Sequence, residues 1–327
     1  MPFLRALGLV ALALLACAIG LSVGGTPLDP VAIWTALAHP HAAGDVATIV
    51  WQLRLPRVII AATVGAVLGI AGALLQGMLR NPLVDPYLTG VSAGAAAAIA
   101  LAILAGVAAP VLPLLGFVAG LLSALLVAAL ARRGSGVDAN RLILAGISLS
   151  AFFSAITALA IARADSLDAA QRILAWLVGS MAGRGWTDLE LATPYAFIGV
   201  VLAAIASPAL NALRVGDMRA RAIGLDVARA QWTILTSASL LAAAGVTLSG
   251  IVGFVGLIVP HLARRSVGTD AKALLFGSAF IGAGLCVLAD AIARSIIAPS
   301  ELPIGVLLAF VGVPAFLYLY LRSGRTT

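Results

Sequence analysis

The chain has 327 residues, 62% of them hydrophobic and only 10% charged, with a mean hydropathy of +1.12 and a formal net charge of +7. No soluble globular domain tolerates such a surface, which leaves a polytopic membrane protein. Aromatics make up 6% and glycine numbers 34, the small-residue composition that lets membrane helices pack closely.

At about 20 apolar residues per crossing, the sequence predicts ten spans in one all-α domain covering 1–327. The first, Leu4 to Val23, contains Leu14-Leu15-Ala16-Cys17, so lipoprotein-type processing at Cys17 competes with a plain span. An outer segment, Gly24 to Trp51, follows and carries His39 and His41. The second span, Val58 to Leu79, ends in Arg80-Asn81-Pro82-Leu83-Val84-Asp85-Pro86, whose prolines and Asn predict a rigid extended turn. Then come Leu88 to Leu104, Val111 to Ala131 and Leu142 to Ala162. A second outer segment, Arg163 to Glu190, holds an amphipathic stretch from Leu167 to Met181, with Ile173, Leu174, Leu177 and Val178 apolar and Trp176 and Trp186 nearby. It predicts a short interfacial helix. After Leu191 to Leu210, the run Asn211 to Arg229 is basic and broken by Gly, and it cannot cross a bilayer. The last four spans are Trp232 to Leu248, a short Ile251 to Ala263, Ala273 to Ala293, and Ile304 to Leu321, the last framed or kinked by Pro299, Pro303 and Pro314.

Charge sorts these spans by side. With the N-terminus inside, the inner set is Arg5, Arg80, Arg132, Arg133, Arg141, Arg214, Arg219, Arg221, Arg229, Arg264, Arg265, Lys272, Arg322 and Arg325. The outer set is Arg54, Arg57, Arg163, Arg172, Arg184 and Arg294. The positive-inside rule therefore puts both termini in the cytoplasm, and the net charge is an inner-face property that points to no nucleic-acid partner.

The chemistry-bearing motifs are few. There is no GxxxxGK[ST], and the only lysine, Lys272, follows no glycine-rich loop, so ATP cannot be held here in the P-loop manner. An ion-coupled secondary transporter needs ionisable groups in mid-span, and Asp290 alone qualifies; Arg294, one turn on, offers it an ion pair. That transporter class stays open as an alternative. His261 stands beside Pro260 with no HExxH or Ser/His pairing, and Cys17 and Cys286 sit in apolar runs, so neither a catalytic site nor a metal site is expected.

Eight motifs in order then carry a resemblance. They are Arg54-Leu-Pro-Arg57, Gly72-Ala-Leu-Leu-Gln76, Asn81-Pro-Leu-Val-Asp-Pro86, Gly90-Val-Ser-Ala-Gly94, Leu144-Ala-Gly146, Gly253-Phe-Val-Gly-Leu-Ile-Val-Pro-His261, Ala289-Asp290 with Ala293-Arg294, and Glu301-Leu-Pro-Ile-Gly305. Together they resemble the permeases of the iron-siderophore, haem and cobalamin ABC importers, over nearly the whole chain from Trp51 onward.

The resemblance implies a type II ABC importer permease of the bacterial inner membrane. Such a subunit works as a homodimer on two ATPase subunits, which bind the ATP and Mg, and a periplasmic binding protein delivers the substrate; no cofactor belongs to this chain. It also assigns roles by matching position. Arg219, Arg221, Ala222, Ile223, Gly224, Leu225 and Asp226 would couple to the ATPase, with Gly224 separating two short helices. Asn81, Leu83, Ala139 and Asn140 would form the cytoplasmic gate, where Ala139-Asn140 departs from the small hydroxyl residues of cobalamin permeases. Arg54, Arg57 and Arg294 would dock the binding protein. Arg163, Arg172 and Arg184 would line a substrate mouth suited to a flat apolar ring with two carboxylates, so haem is the expected cargo, with ferric siderophores and cobalamin as alternatives.

Overall fold

A computed structural model describes residues 3–24, 28–39, 44–134, 136–298 and 300–323; Pro299, His41 and Arg325 lie outside them. Helix α1 (Phe3–Ser22) leads into α2 (Pro30–Ala38), whose N-cap is the Asp29 carboxylate. A short α3 (Asp45–Thr48) runs through a π-helical turn (Ile49–Arg54) into α4 (Leu55–Leu79). Then follow a 3-10 turn (Pro86–Thr89), α5 (Val91–Leu104), α6 (Leu112–Leu130), a two-stranded hairpin (Arg132–Arg133 with Gly136–Val137) and α7 (Ala139–Ala162). The rest is α8 (Leu167–Val178), α9 (Trp186–Arg214), α10 (Asp217–Ala222), α11 (Val227–Ser249), α12 (Val255–Val267), α13 (Ala271–Ser295) and α14 (Ile304–Ser323).

The all-α expectation holds. Among the described residues, seven helices are long and apolar enough to cross a membrane alone, and Val91–Leu104 and Ile304–Leu317 are shorter apolar ones. The expected short span at Ile251 begins only at Val255, because residues 251–254 run non-helically and Phe254 takes φ 68. With 13 residues, α12 reaches about 20 Å, short of the roughly 30 Å hydrocarbon layer. The irregular stretch before it is covered by protein: Tyr87 Oη accepts from Val252 N at 3.1 Å, and Trp176 O accepts from Ile251 N at 3.5 Å.

Glycine decides where the helices touch. A Cβ on Gly65 would lie 1.9 Å from the Gly282 carbonyl oxygen, and one on Gly72 would lie 1.9 Å from that of Gly256. Backbones of α4, α12 and α13 therefore meet directly, the arrangement that replaces hydrophobic force inside a bilayer. Around them Leu68, Leu74, Leu75, Ile234, Leu241 and Leu274 fill the main core. Burial is unequal: the apolar window of α4 is 78% buried and that of α7 only 17%, so α7 presents a largely uncovered face.

The interfacial helix is present as α8. The Ser166 hydroxyl caps it through Ala169 N, and Gly179, at φ 70, ends it before Met181. Its Ile173 is buried with Ile99, Ile103 and Leu112, so α8 lids the ends of α5 and α6. The hairpin at 132–137 was not expected; Gly134, at φ 62, makes its turn.

Candidate functional site

Charged residues gather at the two ends of the bundle. At one end α9 runs to Arg214, the chain turns at Gly216 (φ 116), and α10 projects. Gly224, at φ 85, reverses the chain, with its own N–H donated to Arg221 O and that of Leu225 to Ala220 O. The Asp226 carboxylate then caps Arg229 N and starts α11. The expectation of two short helices needs correction: only α10, with six residues, is short, and the second is the opening of the 23-residue α11, since apolar residues follow the cap without a break. Arg219, Arg221, Ala222, Ile223, Gly224 and Asp226 are exposed, whereas Leu225 is partly buried against the main core as an anchor. Met218, 86% exposed, and Ile223, 75% exposed, make α10 an apolar knob ringed by arginines.

Asp217 ties the knob to two neighbours, and the end of α9 that leads into it is held to the start of α13. Asp217 pairs with Arg80 at 3.4 Å and accepts from Gln231 Nε2 at 3.3 Å; Gln231 Oε1 accepts from Val137 N of the hairpin at 2.8 Å. Asn211 Nδ2 donates to Asp270 at 2.9 Å, and Arg214 donates to Thr269 O. Hydrogen bonds from Ala273 N and Asn211 hold the Asp270 carboxyl below the usual range. Gln231 and the hairpin escaped sequence reading; a polar residue one position before an apolar span, and Gly134 with Gly136, were the only signals.

Of the four expected gate residues, Asn81 accepts from Leu83 N at 2.9 Å, Leu83 is 42% exposed, and Ala139 and Asn140 open α7 behind the Asp138 cap. The α4–α5 connection meets α7 two turns further on, where a Cβ on Gly146 would fall 1.7 Å from the Leu88 carbonyl oxygen. Gly146 was visible only as part of Leu144-Ala-Gly146.

At the opposite end, the three expected docking arginines are already engaged. Arg57 sends one fork to Asp290 (3.0–3.2 Å) and the other to Glu301 (2.8 and 2.9 Å). Arg294 bonds Asp290 at 3.0 Å and Gly20 O at 2.9 Å, and Arg54 donates to Leu21 O at 2.7 Å and Ser22 O at 3.1 Å. Arg54 and Arg294 are buried, so the idle outward guanidiniums that docking implied are not what the fold presents. The expected Asp290–Arg294 pair is there, widened by Arg57 and Glu301.

Two cavities open at this end. One, of about 400 Å³, is walled by Arg54, Arg57, Arg294, Glu301 and Met181; the other, of about 270 Å³, by Ile103, Leu112, Trp176, Arg172 and Ser249, and the two share Gly183 and Arg184. Arg172 pairs with Asp168 at 3.1 Å and Arg184 with Asp188 at 2.8 Å. Arg163 is exposed at the end of α7 and lines neither cavity. Among the described residues no cluster of His, Cys, Asp or Glu could hold a metal ion.

The sequence profile of the FecCD transport family matches residues 12–322. The vitamin B12 import system permease protein BtuC of Vibrio cholerae is 37% identical, covering 96% of this chain and 93% of that protein. The hemin transport system permease protein HmuU of Yersinia pestis is 35% identical, covering 97% and 95%. A solved structure described as a metal-chelate type ABC transporter in an inward-facing conformation superposes with a TM-score of 0.85 at 32% identity, covering 97% of this chain and 98% of that one.

Proposed function

Because the chain belongs to the FecCD transport family, it is the permease of a type II ABC importer of the iron-chelate, haem and cobalamin class, with ATP hydrolysed by a separate subunit, and we propose that its own cargo is haem. The adjoining outer cavities carry that reading: Ile103, Leu112 and Trp176 offer an apolar wall, and at its edge Arg172 and Arg184 would exchange their bonds to Asp168 and Asp188 for two carboxylates of the cargo. Identity to the B12 and hemin permeases differs too little to choose between them.

The remaining parts follow. The exposed knob of α10 seats in an ATPase cleft, and Gly224 carries the reversal. Two copies pair through the uncovered faces of α7 and α14, where Leu144, Phe152, Phe310 and Val311 are exposed. The basic end faces the cytoplasm of a bacterium, with both termini inside. The periplasmic binding protein docks at the other end by exchange, its carboxylate displacing the half-exposed Glu301 from Arg57. Asp290, fixed between two arginines, is a poor carrier of a coupling ion, which counts against secondary transport.

In proteoliposomes holding permease, ATPase and binding protein, haem uptake is expected, with cyanocobalamin and ferric siderophore neither carried nor competing. Uptake of cobalamin in place of haem would overturn the cargo and leave the permease role intact.

A further inference from the structure

At the outer end Arg57, Arg172, Arg184 and Arg294 pair with carboxylates, whereas the arginines around the inner cavity are met mainly by neutral groups. A cavity of about 350 Å³ at the inner end is lined by Gln76, Arg80, Arg214, His261 and Arg264, with no acidic residue among the described residues that line it. Among the described residues Arg264 donates only to the neutral Gln76 Oε1 and Arg214 only to the Thr269 carbonyl, while Gln76 is held in place by donating to Val84 O, Gly256 O and Leu257 O. His261 Nε2 is buried and has no hydrogen-bond partner among the described residues. Arg80 pairs with an acid, Asp217, at 3.4 Å, and Asp270 lies near enough to Arg214 to act on its charge. Arg80 is the left-handed C-cap of α4, at φ 52, with its N–H donated to Gln76 O, which sets its side chain at the cavity edge.

We propose that this cavity binds a phosphate group, held by Arg80, Arg214, Arg264 and His261, in competition with Asp217 for Arg80. Donors arriving from the ends of α4 and α9 and from α12 surround the space from several sides, which suits a tetrahedral anion; a planar carboxylate would use a single fork. The position, at the basic end of a helix bundle, fits either the headgroup of an anionic phospholipid or free phosphate. Asp217 is the first residue of α10, so occupancy loosens the tie between α4 and the projecting knob. That consequence rests on the coupling role proposed for α10, whereas the site itself does not.

The test uses the permease alone, delipidated in neutral detergent, with thermal unfolding followed at constant ionic strength against inorganic phosphate, phosphatidylglycerol and phosphatidylcholine. A saturable rise in Tm with phosphate identifies the free anion, and one with phosphatidylglycerol only identifies the lipid headgroup. Arg264→Gln should raise the half-saturation concentration roughly tenfold. Asp217→Asn should lower it severalfold by releasing Arg80, a gain that misfolding cannot imitate. Equal response to phosphatidylcholine, no response at all, a similar loss in Arg132→Gln/Arg133→Gln, or unchanged half-saturation in Asp217→Asn would each overturn the proposal.

Discussion

Asp290→Ala should destabilise the permease by about 3–5 kcal/mol, because it strands two buried or half-buried guanidiniums without their shared carboxylate. Asp290 has 2% of its side chain exposed and bonds both Arg57 and Arg294 at 3.0 Å, joining α4 to α13. Removing one member of a buried charge cluster leaves the desolvation of the others uncompensated, which outweighs the modest worth of the intact pairs. Asp168→Ala is the control: it breaks an exposed pair with Arg172, both more than half exposed, where at most about 1 kcal/mol is at stake. Thermal unfolding in detergent reads both. If Asp290→Ala melts where Asp168→Ala does, the outer cluster is not a structural clamp.

Gly224→Pro should bring the ATP hydrolysis of the assembled complex down to the rate of the ATPase subunits alone, while the membrane domain still folds and melts cooperatively. Gly224 sits at φ 85, and its N–H donates to Arg221 O at 2.9 Å; proline fixes φ near −65° and has no N–H, so the reversal between α10 and α11 cannot form. Bulk is not the reason, for a Cβ there would meet nothing within 4 Å. Gly224→Ala therefore should retain partial coupling, paying only for its positive φ, about 1–2 kcal/mol. Full stimulated hydrolysis in Gly224→Pro would show that this turn transmits nothing.

What the sequence disclosed depended on the range of the interaction. Spans, the α8 helix, the Gly224 reversal and the Asp290–Arg294 pair are written in apolar runs, glycine position and one-turn spacing, all local. Glu301 reaching Arg57 across 244 positions is not local, so the docking arginines looked available when they are taken. The same holds for Gln76, whose amide gathers carbonyls from residue 84 and from residues 256 and 257, and for Gln231, which joins the hairpin to Asp217. The late start of α12 was hidden because residues 251–254 are as apolar as a helix would be; the contacts of Val252 and Gly250 with Tyr87 and α8, not composition, keep them unwound.

The energy that moves the cargo comes from a separate ATPase subunit. Vesicles containing the complex, with binding protein and haem outside, should accumulate haem when ATP is enclosed and none when a proton or sodium gradient replaces it. Accumulation driven by either gradient without ATP would contradict it.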